Sequence, residues 1–587
     1  MFARLFPSDG DNPPLMASSL RVHVGSANDL IQVSVEVHQE LNQHGWCFAE
    51  FRAPNDARPT AETWLGLNLQ VDAVDEDGSV TIFTGFVWQS ELHYDGAGGY
   101  NVLVTAVTPS WRLEVTHDQN AFRNKSLSAV ASDLCARDGV AVSVSVKDQT
   151  PWPYLVQWGL PDMPFLVKRA YERRAWIRAT VAGIEIRDEF ANGPTTINWL
   201  DKLLHVAVVG RVGPRAVRGT YYDPTTTLSK TVNDFTSNPS FLGSHRIGPA
   251  VLSASRKCVP PSAVYRTSHA VSDAEFQSRL GVESERNLSQ VYAIGVSREP
   301  RVGIGNSVGL QRLPDGVDDG PCGVIKVIHT WTQAMGYKNE FVASLTSQWM
   351  SVAPPERHPP TRRWHILDRP GLFPTVREDG GSYSSGFSTV DSNCERIIDS
   401  LGHSHYHLSQ PYLGVVIARV TDNNDPKHLG RLKVQYIWAD EPTDWIRLAT
   451  GNAGFNRGIL FLPEVGDEVL IAFEDGDPNF PIVIGSLWNS ANNNEGVREP
   501  FVSPAGIANN DVKRICTKGG LRITLCDTPG EQGLTIVTPF ASIKLLEKNS
   551  QTGLPMIALE TENGDIFLGA PNGRVHINSK FYSKEIG

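Results

Sequence analysis

Three histidines alternate in HSHYH, so an extended chain would send the imidazoles of His403, His405 and His407 to one side. Gathered round a threefold axis, such a row has the ligand chemistry of a metal site. The tract lies in a Gly- and Ser-rich stretch, however, where a hydrogen-bonding spacer is the simpler reading. An acidic run, Glu464, Asp467, Glu468, Glu474, Asp475 and Asp477, could supply a general acid/base pair or a calcium loop. In PEVGDEVLIAFEDGDP its Gly-Asp and Asp-Gly-Asp-Pro pieces flank an alternating strand, so turn geometry and solvated charge account for it. HQELNQH (38–44) carries two histidines and a glutamate, but the histidines are six apart rather than four and follow a strand pattern. GIGNSVG (303–309) lacks the spacing of a dinucleotide loop. No catalytic residue and no cofactor is assigned.

Composition bounds the rest. At 587 residues the chain is too long for one hydrophobic core, so several domains are expected. A formal charge of -11 with no cluster of Lys and Arg argues against nucleic acid as a partner. The seven cysteines are odd in number, scattered and without a Cys-x-x-Cys pair, which indicates reduced thiols rather than a disulfide frame or a zinc site. The first residues, MFARLFPSDGDNPPL, have no apolar stretch of signal-peptide length, and no segment approaches a membrane span. Synthesis in the cytoplasm without a signal peptide is expected.

The elements that would position any site are mainly strands. Gly 51 and Pro 38, beside many Val, Ile and Thr segments, favour short strands and frequent turns. LRVHV (20–24), IQVSVEV (31–37) and YNVLVTAV (100–107) alternate as barrel or sandwich strands do. Near 125–137, Leu127, Val130, Ala131 and Leu134 fall on one helical face, and residues 161–176 read as a second helix opened by Pro and Asp. Strands resume to about residue 349. Prolines at 354, 355, 359, 360 and 370 and then GGSYSSGFS mark 351–410 as an extended linker. Residues 411–488 read as a small barrel of about 80 residues, and 489–512 as a second linker.

In the last 75 residues a two-residue apolar beat keeps returning: Ile523/Leu525, Leu534/Ile536, Ile543/Leu545, Ile557/Leu559, Ile566/Leu568 and Val575/Ile577. ETENGDIFL and GAPNGRVHI are successive nine-residue units, each turning at Asn-Gly. One such row has too little apolar surface to fold alone and leaves its edges open. Three copies wound round an axis would bury the beat and pair every edge. A monomeric solenoid or an ordinary sandwich is the alternative these residues leave open.

GVVIARVTDNNDPKHLGRLKVQYIW (414–438), DWIRLAT (444–450) and FLPEVGDEVLIAFEDGDPNFPIVIGSLWN (461–489) resemble the OB-fold domain of VgrG proteins and phage central spikes. The elements V-T-D-N-x-D-P, L-G-R-L-K-V, W-I-R, L-P-E-V-G-D-E-V and G-D-P-x-x-P-x-x-x-G-S-L-W-N stand in that family's order. FRNKSLSAVASDLC (122–135), VQWGLPDMPFL and the H…GY-x-N-x-F pattern in 324–344 resemble its hub domains, and TKGGLRITLCDTPGEQGLTI (517–536) resembles the start of its needle.

The resemblance implies a mainly β chain. Residues 1–350 would be a trimeric hub of two barrel-like domains with helical insertions, 411–488 an OB barrel, and 513–587 an intertwined trimeric β-helix needle. The needle core would be Ile523, Leu525, Ile536, Ile543, Leu545, Ile557, Leu559, Ile566, Leu568, Val575 and Ile577. It further implies a homotrimer with an inner tube stacked on the hub, baseplate proteins around it and a PAAR-type protein at the needle end. Such a spike pierces a membrane mechanically, in a phage-tail-like particle released outside the cell; the alternatives are a tail-associated peptidoglycan-degrading enzyme, or a type VI or phage spike. The short 489–512 linker leaves no room for a lysozyme domain, and no effector domain is expected after residue 587.

Overall fold

A computed structural model describes most of residues 18–349, residues 414–491, and residues 511–576 apart from 549–551. Within 18–349 the breaks are 26–30, 54–59, 95–99, 224–227, 237–240, 268–272, 289–290, 314–319 and a few single positions. The chain divides into two units, Met1–Gly485 and Ser486–Gly587.

Alternating apolar residues build the first unit. In the strand Asn68–Asp75, Leu69, Val71 and Ala73 are buried while their neighbours are half-exposed, the period-two pattern of a strand with one face on a core. This strand belongs to a 12-stranded sheet that runs from Ser19–Val24 through Trp46–Ala53 and Ile31–Glu40 to Gly320–Thr332, Gly336–Ser344, Val291–Ser297 and Leu203–Gly210. The pairing of Ile31–Glu40 with Gly320–Thr332 joins strands far apart in sequence. Two hydrophobic cores lie along this sheet. One gathers Leu69, Phe83, Val102 and Val104, the other Val308, Val324, Phe341 and Trp349.

The helix Leu127–Arg137 buries Leu127, Val130, Ala131 and Leu134 as its spacing requires, and the Ser126 hydroxyl caps it by accepting from Ala129 N–H. Asp162–Glu172 follows Pro161 and packs with it in a third core around Met163, Phe165 and Leu166. Two further helices, Ile247–Cys258 and Asp273–Leu288, stand where only strands were expected. The second carried a usable signal: Phe276 and Leu280, four apart and so on one helical face, are both fully buried against Val217. The two are set among Ser-rich and polar residues, which dilute the helical period.

Residues 416–487 form a five-stranded sheet in the order Lys433–Tyr436, Val416–Asp422, Glu468–Phe473, Pro481–Leu487, Arg447–Leu448. Its inward residues Val416, Ala418, Val420, Val434, Val469, Ile471 and Val483 make one small core.

In the second unit, Val512–Cys516, Arg522–Cys526, Gly533–Val537, Ala541–Leu546 and Met556–Thr561 pair in chain order, each antiparallel to the next. Gly520 and Gly530 sit at positive φ in the turns, a conformation glycine adopts without a Cβ penalty. These residues form a single sheet in a meander, neither a one-chain solenoid coil nor a two-sheet sandwich.

Candidate functional site

The barrel motifs resolve into hydrogen-bonded loops. Asp425, in V-T-D-N-x-D-P, is buried and accepts from the backbone N–H of Lys427 at 3.0 Å, Leu429 at 2.9 Å and Arg431 at 3.3 Å. The Arg431 guanidinium of L-G-R closes the cage with two donors at 3.0 and 2.7 Å. His428 and Gly430 take positive φ so that the loop can wrap the carboxylate. Arg431, and then the three backbone donors, hold the Asp425 carboxyl far below the usual range against the opposing effect of burial.

The acidic run behaves as turn chemistry. Asp467 accepts from Glu464 N–H at 2.9 Å across the turn at Gly466, and Asp477 accepts from the backbone and side chain of Asn479 at 3.0 and 2.8 Å. Among the described residues no group of three His, Cys, Asp or Glu is gathered as a metal ion would need. His403, His405 and His407 lie outside the described residues.

Asn479 also reaches across the unit. Its Oδ1 accepts from Val156 N–H at 3.0 Å, and Val156 itself is counted in the barrel core. Trp158, two residues on, meets Trp438 edge-on at 5.0 Å and Phe473 at 6.3 Å, while Trp438 stacks on Tyr436 at 4.9 Å. Arg123, on the strand paired with the one bearing Val156, donates to the carbonyls of Pro442 and Thr443. Lys168 stands 4.0 Å from Asp477. Burial opposes ionisation of Asp477, but Lys168 and the Asn479 N–H outweigh it and hold the carboxyl low. The barrel is therefore keyed to the strands 117–125 and 152–161 by an aromatic and polar seam. Its motifs were legible in sequence; its partner strands were not, because nothing local ties Val156 to Asn479.

The H…GY-x-N-x-F pattern is a buried relay. His329 Nδ1 and Tyr337 OH are 2.8 Å apart, Asn339 Nδ2 donates to Tyr337 OH and to the Glu299 carbonyl, and Ser297 Oγ donates to Asn339 Oδ1. Complete burial lowers the His329 pKa to about 3. The histidines of HQELNQH go to separate places: His38 binds Glu36, and His44 binds Ser110 at 3.0 Å.

The meander of the second unit carries the apolar beat on one face. Register sets Ile515, Ile523, Ile536, Ile543 and Leu559 opposite one another in a row, with Leu525, Leu534, Leu545 and Ile557 in a second row beside it. The other face shows Arg514, Thr524, Thr535, Lys544 and Ala558, with Lys544 paired to Glu560 at 2.6 Å. In a folded chain the apolar face would be expected inside, yet Ile523, Leu525, Ile536, Ile543, Leu545 and Leu559 are exposed and Ile557 is 77% exposed. The beat continues past Thr561 with Ile566, Leu568 and Val575 exposed as well. Ile577 lies outside the described residues.

A five-stranded barrel with these loops defines the class. Residues 416–488 match the family of the type VI secretion system/phage-baseplate injector OB domain. More particularly, a segment of the chain is similar to VgrG proteins. It is similar to the type VI secretion system spike protein VgrG1a of Pseudomonas aeruginosa, 29% identical over 116 residues, or 19% of this chain and 17% of that protein. It is also similar to VgrG5 of the same organism, 37% identical over 97 residues, 16% of this chain and 12% of that one. The actin cross-linking toxin VgrG1 of Vibrio cholerae is 27% identical over 135 residues, 20% of this chain and 11% of the toxin. The matched segment thus spans less than a fifth of these relatives' length. In fold, a chain of the lidded Francisella PdpA–VgrG complex aligns over 94% of this chain and 81% of its own, with a TM-score of 0.54 at 10% identity.

Proposed function

We propose that this chain is the homotrimeric central spike of a contractile injection machine, a structural part without catalysis of its own. The observation that carries the reading is the bare apolar face of the second unit. Full burial of an exposed Ile or Leu stabilises by roughly 1.5–3 kcal/mol; these side chains, 37% to 77% exposed, each have a part of that still to gain, and two rows of them together favour association. Three copies would meet this need symmetrically, and the nine-residue units that begin at Glu560 repeat the same demand. The needle core is then the set Ile523, Leu525, Ile536, Ile543, Leu545, Ile557, Leu559, Ile566, Leu568, Val575 and Ile577.

In this reading residues 1–350 form the hub that receives the inner tube and baseplate proteins, the OB barrel follows, and a PAAR-type protein sits on the needle's free end. Sheath contraction drives the assembly through the target membrane. Rigidity is the working property: a needle of interlocked chains unfolds only when many contacts break together. The machine is a released, phage-tail-like particle. A type VI spike is the second reading, favoured by the type VI names of the relatives that match the barrel. Recovery of the chain in sheathed particles from culture supernatant supports the first; its retention in cell-anchored tails supports the second.

Catalysis is tested directly by a peptidoglycan zymogram of the purified chain. No cleared band is expected. A band that vanishes when one acidic residue is changed would overturn the structural reading.

A further inference from the structure

Orphaned hydrogen-bond donors concentrate in the seam between the barrel and the strands 117–125 and 152–161. Arg123 and Tyr154 stand directly opposite each other in that strand pair, and the guanidinium lies 6.0 Å from the centre of the Tyr154 ring. Tyr154 packs on the barrel core that contains Tyr436, itself 1% exposed, and the two phenols are close enough for ionisation of one to oppose that of the other. Trp438 stacks flat on Tyr436. Arg123 Nε, the hydroxyls of Tyr154 and Tyr436, and Trp438 Nε1 are all buried, and none has a hydrogen-bond partner among the described residues.

A buried polar group left unpaired costs about 1–3 kcal/mol, so this gathering in one seam asks for a shared acceptor. Its chemistry is limited by the donors. Burial pushes both phenols up, so both keep their protons and can donate at any working pH. The indole and guanidinium N–H groups can only donate. Arg123 uses Nη2 on the carbonyls of Pro442 and Thr443, which are neutral, and no carboxylate pairs with it among the described residues. Glu441, beside Pro442 in sequence, acts on Tyr154 but is exposed, so its charge is solvated. The half-buried guanidinium therefore lacks a counter-charge inside the seam.

We propose that the seam binds one small monovalent anion, of chloride size, between Arg123 Nε and the hydroxyls of Tyr154 and Tyr436. The ion accepts from the strand pair on one side and from the barrel on the other, so it bridges the two and neutralises Arg123. A water molecule serves these donors less well, because it carries no charge and brings two hydrogens that need acceptors of their own. The site lies wholly within the first unit and does not depend on the homotrimer reading.

Thermal unfolding of the full chain in sodium chloride and in sodium gluconate of equal ionic strength tests it, gluconate being far larger than chloride. The native chain should melt higher in chloride, with a midpoint that climbs with the logarithm of chloride concentration. Tyr436→Phe should lose that gain and yet be at least as stable as the native chain in gluconate, because it deletes a donor that is unmet without the ion. Tyr154→Phe should behave alike. No chloride gain in the native chain, an undiminished gain in either variant, or a Tyr436→Phe chain destabilised equally in both salts would overturn the proposal, the last outcome assigning the hydroxyl to a water. Crystals grown in sodium bromide should show an anomalous peak within hydrogen-bonding distance of Arg123 Nε and both hydroxyls. Bromide found only elsewhere would be an adventitious ion only and would overturn the site.

Discussion

At the scale of single residues, buried charge is tolerated here only where it is fully partnered. Asp425 accepts three backbone N–H groups and a two-pronged guanidinium, so Asp425→Ala would orphan several donors at once. A loss of about 3 kcal/mol in the urea stability of the barrel transition is expected. The same carboxyl contributes stability that is present above its unfolded pKa near 4 and is lost only as pH falls towards its much lower folded value. His329 acts in the same direction but in a higher pH window. Its folded pKa of about 3 lies below the ordinary 6.5, so between those values the unfolded chain binds more protons. Stability therefore falls as pH drops from 6.5, by up to about 1.4 kcal/mol per pH unit. Denaturant midpoints between pH 7 and 4.5 should show this slope, and His329→Gln should flatten it.

At the scale of elements, the sequence spoke most clearly where a period was strict. The faces of Leu127–Arg137 and of the meander strands follow directly from residue spacing, and the barrel motifs mark the loops that hold Asp425 and Asp477. What spacing cannot carry is pairing between distant segments. The seam of Trp158 with Trp438, and the joining of Ile31–Glu40 to Gly320–Thr332, arise from packing that no local pattern encodes. The helix Asp273–Leu288 was missed because its apolar face is only two residues deep in a polar sequence. For the meander, the face a substitution sits on should decide its effect. Ile557→Asp puts a charge into the bare apolar face and should abolish SDS-resistant trimers. Ala558→Asp, on the opposite face beside Lys544, should leave them intact. Equal loss in both variants would mean that the strand, and not its apolar side, is what matters.

At the scale of the whole molecule, the chain combines a first unit with several closed cores and a second unit whose apolar face is unsatisfied by itself. That asymmetry is the physical argument for assembly: the first unit encloses several apolar cores of its own, while the apolar face of the second is left to be covered. The most direct measurement is the native mass of the purified full-length chain, followed by electron microscopy of the same sample. The account predicts three times the 64.4 kDa chain mass and particles with a threefold base and a projecting needle. A monodisperse monomer with an ordered second unit would contradict it.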